Sequence, residues 1–188
     1  MLDRAYKYND RINDYLRKLY DSEYAKYYFI SNPYYDGFDT IPESDYSKIS
    51  RVSVDNDKIL GLMTATISRE SKLITNLSLI NFTEKASYIF SKDAISFVDY
   101  LFNVEKVESI TWYACTENKK AVRIYDSIIS KYTDIKIAKS TPVRNAYYTN
   151  KLGYLDAYIY TLLFSEYKDK ISHKLANEAT SLINGVIK

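Results

Sequence analysis

Residues 73 to 132 constrain the fold most, because the hydrophobic period switches three times within them. LITNLSLINF (73–82) reads as a strand. Residues 92–104 carry helical spacing, with Ala94, Ile95, Phe97, Val98, Leu101 and Phe102 apolar. ESITWYAC (108–115) returns to alternation, with Ile110, Trp112 and Ala114 set against Thr111, Tyr113 and Cys115. ENKKAVRIYDSIISKY (117–132) is helical again, with Ala121, Val122, Ile124, Tyr125, Ile128 and Ile129 on its apolar face. A strand–helix–strand unit makes its two strands parallel neighbours. Where parallel strands splay, a crevice opens at their carboxyl ends, and ligands bind there.

The flanking segments fill in the sheet. Residues 3–31 read as helical, with Ile12, Tyr15, Leu16, Leu19 and Tyr20 at spacings of three and four. Residues 31–45 hold two prolines and a glycine and read as a loop. SRVSVD (50–55), KILGLMTATIS (58–68) and the strand at 73–82 form an antiparallel meander with turns at DND (55–57) and RESK (69–72). Two long β segments, roughly 135–149 and 153–164, close a hairpin through TNKLG (149–153). From Lys168 a last amphipathic helix carries Ile171, Leu175, Ala179, Leu182, Ile183 and Val186. The expected class is α+β (α/β): a mixed, mostly antiparallel central sheet flanked by helices, with a central parallel strand pair. One domain is expected over 1–167, made of a helical part (1–48) and a core (49–167), followed by the helix 168–188. That helix needs a cover for its apolar stripe, so a homo-oligomer or protein partner is expected through the terminal helices.

Composition excludes several classes. The glycines stand alone at 37, 61, 153 and 185, so no clustered phosphate-cradling loop exists. One Cys and one His (His173) leave no disulfide framework, no Cys/His zinc site and no metal centre to expect. A net charge of +2 supplies no field for a polyanion, so nucleic acid is not implied. The polar start MLDRAYKYNDRINDYL is no signal peptide, and no apolar run approaches ~18 residues. A soluble, cytoplasmic protein without membrane contact is expected. The 21 tyrosines, with frequent Lys, Ile and Asn, fit an AT-rich coding genome; a tyrosine-rich interaction surface is the other reading.

Two segments carry a resemblance. TENKKAVRIYDSI (116–128) holds Asn118, Ala121 and Tyr125 in an Asn-x-x-Ala-x-x-x-Tyr arrangement. RNAYYTNKLGYLDAYIYTLLFSEY (144–167) holds Arg144, Asn145, Asp156, Tyr160, Leu162, Leu163, Glu166 and Tyr167. Together they resemble the GCN5-related N-acetyltransferase superfamily, in the branch of the ribosomal-protein and spermidine acetyltransferases, over residues 49–167. The resemblance implies direct acetyl transfer from acetyl-CoA to an amine: a protein N-terminus, a polyamine or a small molecule. It implies Tyr125 as the general acid for the departing sulfur. It also implies Asn118 and Ala121 on the pantetheine arm, and the strand of Leu79 and Ile80 pairing with that arm. A backbone N–H of the same strand would stabilise the oxyanion. Glu84 is the nearest candidate base, with a water route through Ser78 or Asn76 beside it, and Arg144 and Asp156 would orient the amine. Each role has a plainer rival: a core tyrosine at 125, an N-cap at Asn118, and an Arg144–Asp156 cross-strand ion pair.

One departure stands out. The family's pyrophosphate loop, (Gln/Arg)-x-x-Gly-x-(Gly/Ala), falls on ASYIFS (86–91), which holds neither glycine. Glycine allows backbone N–H groups to approach phosphate oxygens closely. Here Ser87, Ile89, Phe90, Ser91 and Lys92 would have to serve, with a helix N-terminus at Ser91 flanked by Lys85 and Lys92. The second functional reading follows: a catalytically inactive scaffold of this family serving as a structural or adaptor protein, such as a phage or virus assembly component. Its terminal helices would then be the assembly surfaces.

Overall fold

The computed structural model describes residues 1–22, 40–83, 87–131, 136–149 and 152–167. Residues 23–39, Glu84, Lys85, Ala86 and the expected helix over 168–188 with His173 lie outside them.

Alternation produces the meander as read. Strands β2 (Lys48–Asp55), β3 (Lys58–Ser68) and β4 (Leu73–Asn81) pair antiparallel. In the β2–β3 turn Asn56 and Asp57 have φ of 44° and 64°. Two consecutive left-handed residues make the turn that matches strand twist, and Asn and Asp tolerate that region. Then come α2 (Tyr88–Asn103), β5 (Ser109–Cys115), α3 (Lys119–Lys131), β6 (Ala138–Lys139), β7 (Val143–Thr149) and β8 (Gly153–Leu163). With β1 at Leu2–Arg4, the sheet runs β1-β2-β3-β4-β5-β8-β6, with β7 also on β8. Among these pairings β4–β5 is parallel and the others are antiparallel, which is the expected mixed sheet.

Two segments differ from expectation. The chain starts as a strand, not a helix: β1 (Leu2–Arg4) pairs with β2, and a 3-10 turn (Ala5–Tyr8) leads into α1 (Asn9–Asp21). The outer edge of β2 gains backbone partners in this way, where helix would have left it unpaired. The β segment expected over 135–149 is broken. Pro142 has no N–H to give a ladder, so β6 and β7 form separate pieces along β8. Ser140 bridges the gap, its N–H donating to Ile159 O at 2.9 Å and its Oγ accepting from Ile159 N at 3.0 Å.

β3 shows how the two faces are filled. Met63, Ala65 and Ile67 point into a buried cluster with Phe97 and Leu101 of α2 and with Trp112 and Tyr160. Leu62 points the other way, into a cluster with Ile12 and Leu16 of α1, Val52, Ile59 and Ile80. Gly61 is required for close approach. A Cβ there would lie inside van der Waals contact of the Phe90 ring and the Ile80 carbonyl oxygen. Gly61→Ala is therefore expected to cost about 1–3 kcal/mol, read as a lower urea midpoint. An unchanged midpoint would show that the Phe90 ring is not seated on β3.

Candidate active site

The crevice begins with one extra residue. On β3 and β4, Thr66 pairs with Asn76 and Ile67 with Ile74, leaving Thr75 unpaired in a bulge. A bulge bends its strand and increases its twist. β4 pairs with β5 only at Leu73↔Ser109 and Ile74↔Ile110, so the two strands part where Thr75 bulges. Beyond Ile74 the β5-facing edge of β4 has no ladder partner among the described residues. The opening is an apolar crevice of about 140 Å³ whose walls include Leu77, Leu79, Val98, Ile110, Trp112 and Tyr125.

α3 forms one wall because its start is pinned at the end of β5. Asn118 donates its N–H to Cys115 O at 3.0 Å, and its Oδ1 accepts from Ala121 N at 3.2 Å. Asn118 is thus the N-cap of α3. The cap uses its oxygen and leaves its NH2 outside the cap. The Ala121 N–H is consumed by the cap. Seven residues after Asn118, two turns along the helix, Tyr125 lies half-buried against Trp112 and Tyr160, with ring centroids at 5.7 and 5.1 Å. Trp112 and Tyr160 are stacked at 5.5 Å and 9°. Tyr125 is therefore both a packing residue and a crevice residue.

Behind these rings is a polar group of which the sequence named only Tyr160, as part of the resemblance. Tyr160 is fully buried, and its OH donates to Asp126 Oδ1 at 3.4 Å. Lys139 Nζ donates to both Asp126 oxygens at 2.7 and 2.8 Å. Burial, then the Asp126 charge and hydrogen bond, push the Tyr160 phenol well above the usual tyrosine range. Tyr160 stays protonated and holds the aromatic stack in place. Trp112 supplies a second polar feature: its Nε1–H is buried with no hydrogen-bond partner among the described residues. An incoming acceptor would satisfy it, because a buried unpaired donor is costly.

The other predicted residues separate. Leu79 reaches the crevice, whereas Ile80 is buried on the α1 face of the sheet. The helix start expected at Ser91 lies at Ser87. Ser87 Oγ accepts from Phe90 N at 3.3 Å, and α2 begins at Tyr88. Ser91 is buried in the first turn, with its Oγ donating to Ser87 O at 3.0 Å. Phe90 packs toward Gly61, Ile89 is half-buried and Lys92 is exposed. The serine side chain thus stands where an anion would otherwise meet the Phe90 N–H.

Arg144 and Asp156 form no ion pair among the described residues. The β7–β8 register jumps from Val143↔Ala157 to Tyr147↔Leu155, and Asn145 takes a φ of 51°. Within that bulge the Asn145 N–H donates to Asp156 Oδ1 at 3.2 Å. The carboxylate stabilises an irregular backbone, and Arg144 remains exposed on the surface. Cys115 is buried.

Solved structures similar in fold include acetyltransferases. A probable acetyltransferase matches at 14% identity over 86% of this chain and 91% of its own, with a TM-score of 0.65. Spermidine N-acetyltransferase from Vibrio cholerae, in complex with CoA and spermine, matches at 15% over 88% and 96%, with a TM-score of 0.61. A mutant of SpeG, the spermidine N-acetyltransferase of Vibrio cholerae, matches at 20% over 67% and 71%, with a TM-score of 0.54. No protein-family profile and no curated protein matches the sequence. The fold is that of the GCN5-related N-acetyltransferases. Among the described residues no His, Cys, Asp and Glu group is placed to hold a metal ion, and no helix is long and apolar enough to cross a membrane.

Proposed function

We propose that this chain transfers an acetyl group from acetyl-CoA to a primary amine: a protein N-terminus, a polyamine or a small molecule. The crevice between β4 and β5 carries the proposal, with Tyr125 and the capped Asn118 along one wall. The unpaired edge of β4 offers backbone groups to an extended amide-bearing arm, as a sheet edge accepts a peptide. The Asn118 NH2 would add a hydrogen bond from α3. In the transfer, the amine nitrogen forms a bond to the acyl carbon and the carbon–sulfur bond breaks. Tyr125 gives its phenolic proton to the leaving sulfur, and Glu84 is the nearest acceptor in sequence for the proton lost from the amine. The apolar lining excludes water, which would compete as a nucleophile.

A second reading has its own observation. Ser87 already caps α2, and this favours a scaffold that has given up the pyrophosphate grip and works as a structural or adaptor protein. Isothermal titration with acetyl-CoA separates the two. Saturable binding below millimolar concentration, with acetylated amine as product, is expected for the enzyme. No heat of binding in that range would remove the transferase reading and leave the scaffold.

A further inference from the structure

A cavity larger than the crevice lies away from it, between β2, the end of α2 and residues 40–45. Its volume is about 470 Å³, and its walls include Arg4, Lys48, Arg51, Arg69, Tyr100 and Glu105. That size falls in the range of small-molecule sites, roughly 300–1,000 Å³. It opens near Tyr100, about 20 Å along α2 from Ser87.

The strand register creates an electrostatic conflict there. Arg4 of β1 and Arg51 of β2 are direct cross-strand partners. Opposed residues share one face with Cβ atoms roughly 5 Å apart, and like charges in that position repel. Neither guanidinium makes an ion pair among the described residues. Arg51 donates to the Ser50 carbonyl at 3.0 Å and lies 4.9 Å from the Tyr100 ring centroid, which fixes its plane.

The carboxylates nearby are engaged elsewhere. Glu105 accepts from Arg69 Nη1 at 2.8 Å and from Tyr100 Oη at 2.5 Å. Glu43 accepts from Tyr6 Oη at 3.2 Å. Asp45 accepts from the N–H groups of Ser47 and Lys48 at 2.8 and 3.2 Å. Glu105 therefore orients Arg69 and also feels the Arg51 charge, so one carboxylate serves two guanidiniums and Arg4 has no ion-pair partner among the described residues. Guanidiniums on adjacent cross-strand positions offer donors to the oxygens of a tetrahedral oxyanion, and a dianion relieves their mutual repulsion.

We propose that this cavity binds the phosphoryl group of a small phosphorylated molecule, held between Arg4 and Arg51 with Arg69 beside them. The proposal is independent of the acetyl-transfer reading.

The test is thermal shift and calorimetry on the full chain, with inorganic phosphate, pyrophosphate and adenosine diphosphate at constant ionic strength. Saturable stabilisation is expected, and the ranking of adenosine diphosphate against pyrophosphate tells a nucleotide from free phosphate. Arg4→Glu is expected to weaken binding at least tenfold. It should also raise the melting temperature of the ligand-free chain, because a like-charge pair becomes an opposite-charge pair. A merely structural Arg4 would not give both effects. Arg51→Lys keeps the charge, loses the fork and should bind severalfold more weakly. No response to any phosphate compound, an equal response from Arg4→Glu, or an equal response to a dicarboxylate would overturn the proposal. Acetyl-CoA binding in the crevice is expected to be unchanged in Arg4→Glu, so the two sites fail separately.

Discussion

Tyr125→Phe is expected to lower kcat for acetyl transfer by about 100-fold and to leave KM for acetyl-CoA within about twofold. The substitution removes one O–H group and keeps the ring that packs on Trp112 and Tyr160. The variant should therefore melt close to the parent temperature, and the loss would belong to proton delivery to the leaving sulfur. Steady-state kinetics with a good amine acceptor check this, with the melting temperature as the control for folding. A kcat equal to the parent value would reassign Tyr125 to packing alone.

Phe97→Ala is expected to have the largest effect on stability, about 3–5 kcal/mol. Phe97 is fully buried in the cluster that joins α2 to the sheet, with Met63, Ala65, Ile74 and Leu101. A loss of that size is a large share of the roughly 5–15 kcal/mol that holds a domain folded. Ser96→Ala, one residue away and exposed, should stay within about 0.5 kcal/mol. Urea unfolding of the two variants makes the comparison. If both shift alike, α2 is not seated through Phe97.

The order of elements from β2 to α3 was readable because each changes the hydrophobic period within a few residues. The β4 bulge also leaves a mark in the sequence. Thr75 and Asn76 are both exposed between buried Ile74 and Leu77, which breaks the alternation by one residue. β1 was not readable: three residues have no period, and pairing with β2 decides their state. The apolar spacing over 92–104 points to a helix start at Ser91, one turn after the true start of α2. The capping serine at Ser87 is a local signal of the true start. The Asp126, Lys139 and Tyr160 group left no local trace, because its members come from three elements that meet only in the folded chain. The expected Arg144–Asp156 pair failed for a related reason. The left-handed Asn145 shifts the register, and side-chain type alone does not report that.

The bulge at Thr75 has a consequence for how this chain can change over generations. The slot between β4 and β5 is made by a count of backbone residues, and no side chain that meets a ligand is needed to keep it open. Substitutions at Leu79, Trp112 or Tyr125, which line the slot, can change what enters while the slot remains. Deleting one residue near Thr75 would restore the ladder with β3 and straighten β4 against β5. Descendants of this scaffold can thus exchange one ligand for another by point substitution, and would lose the slot itself only by a change in chain length.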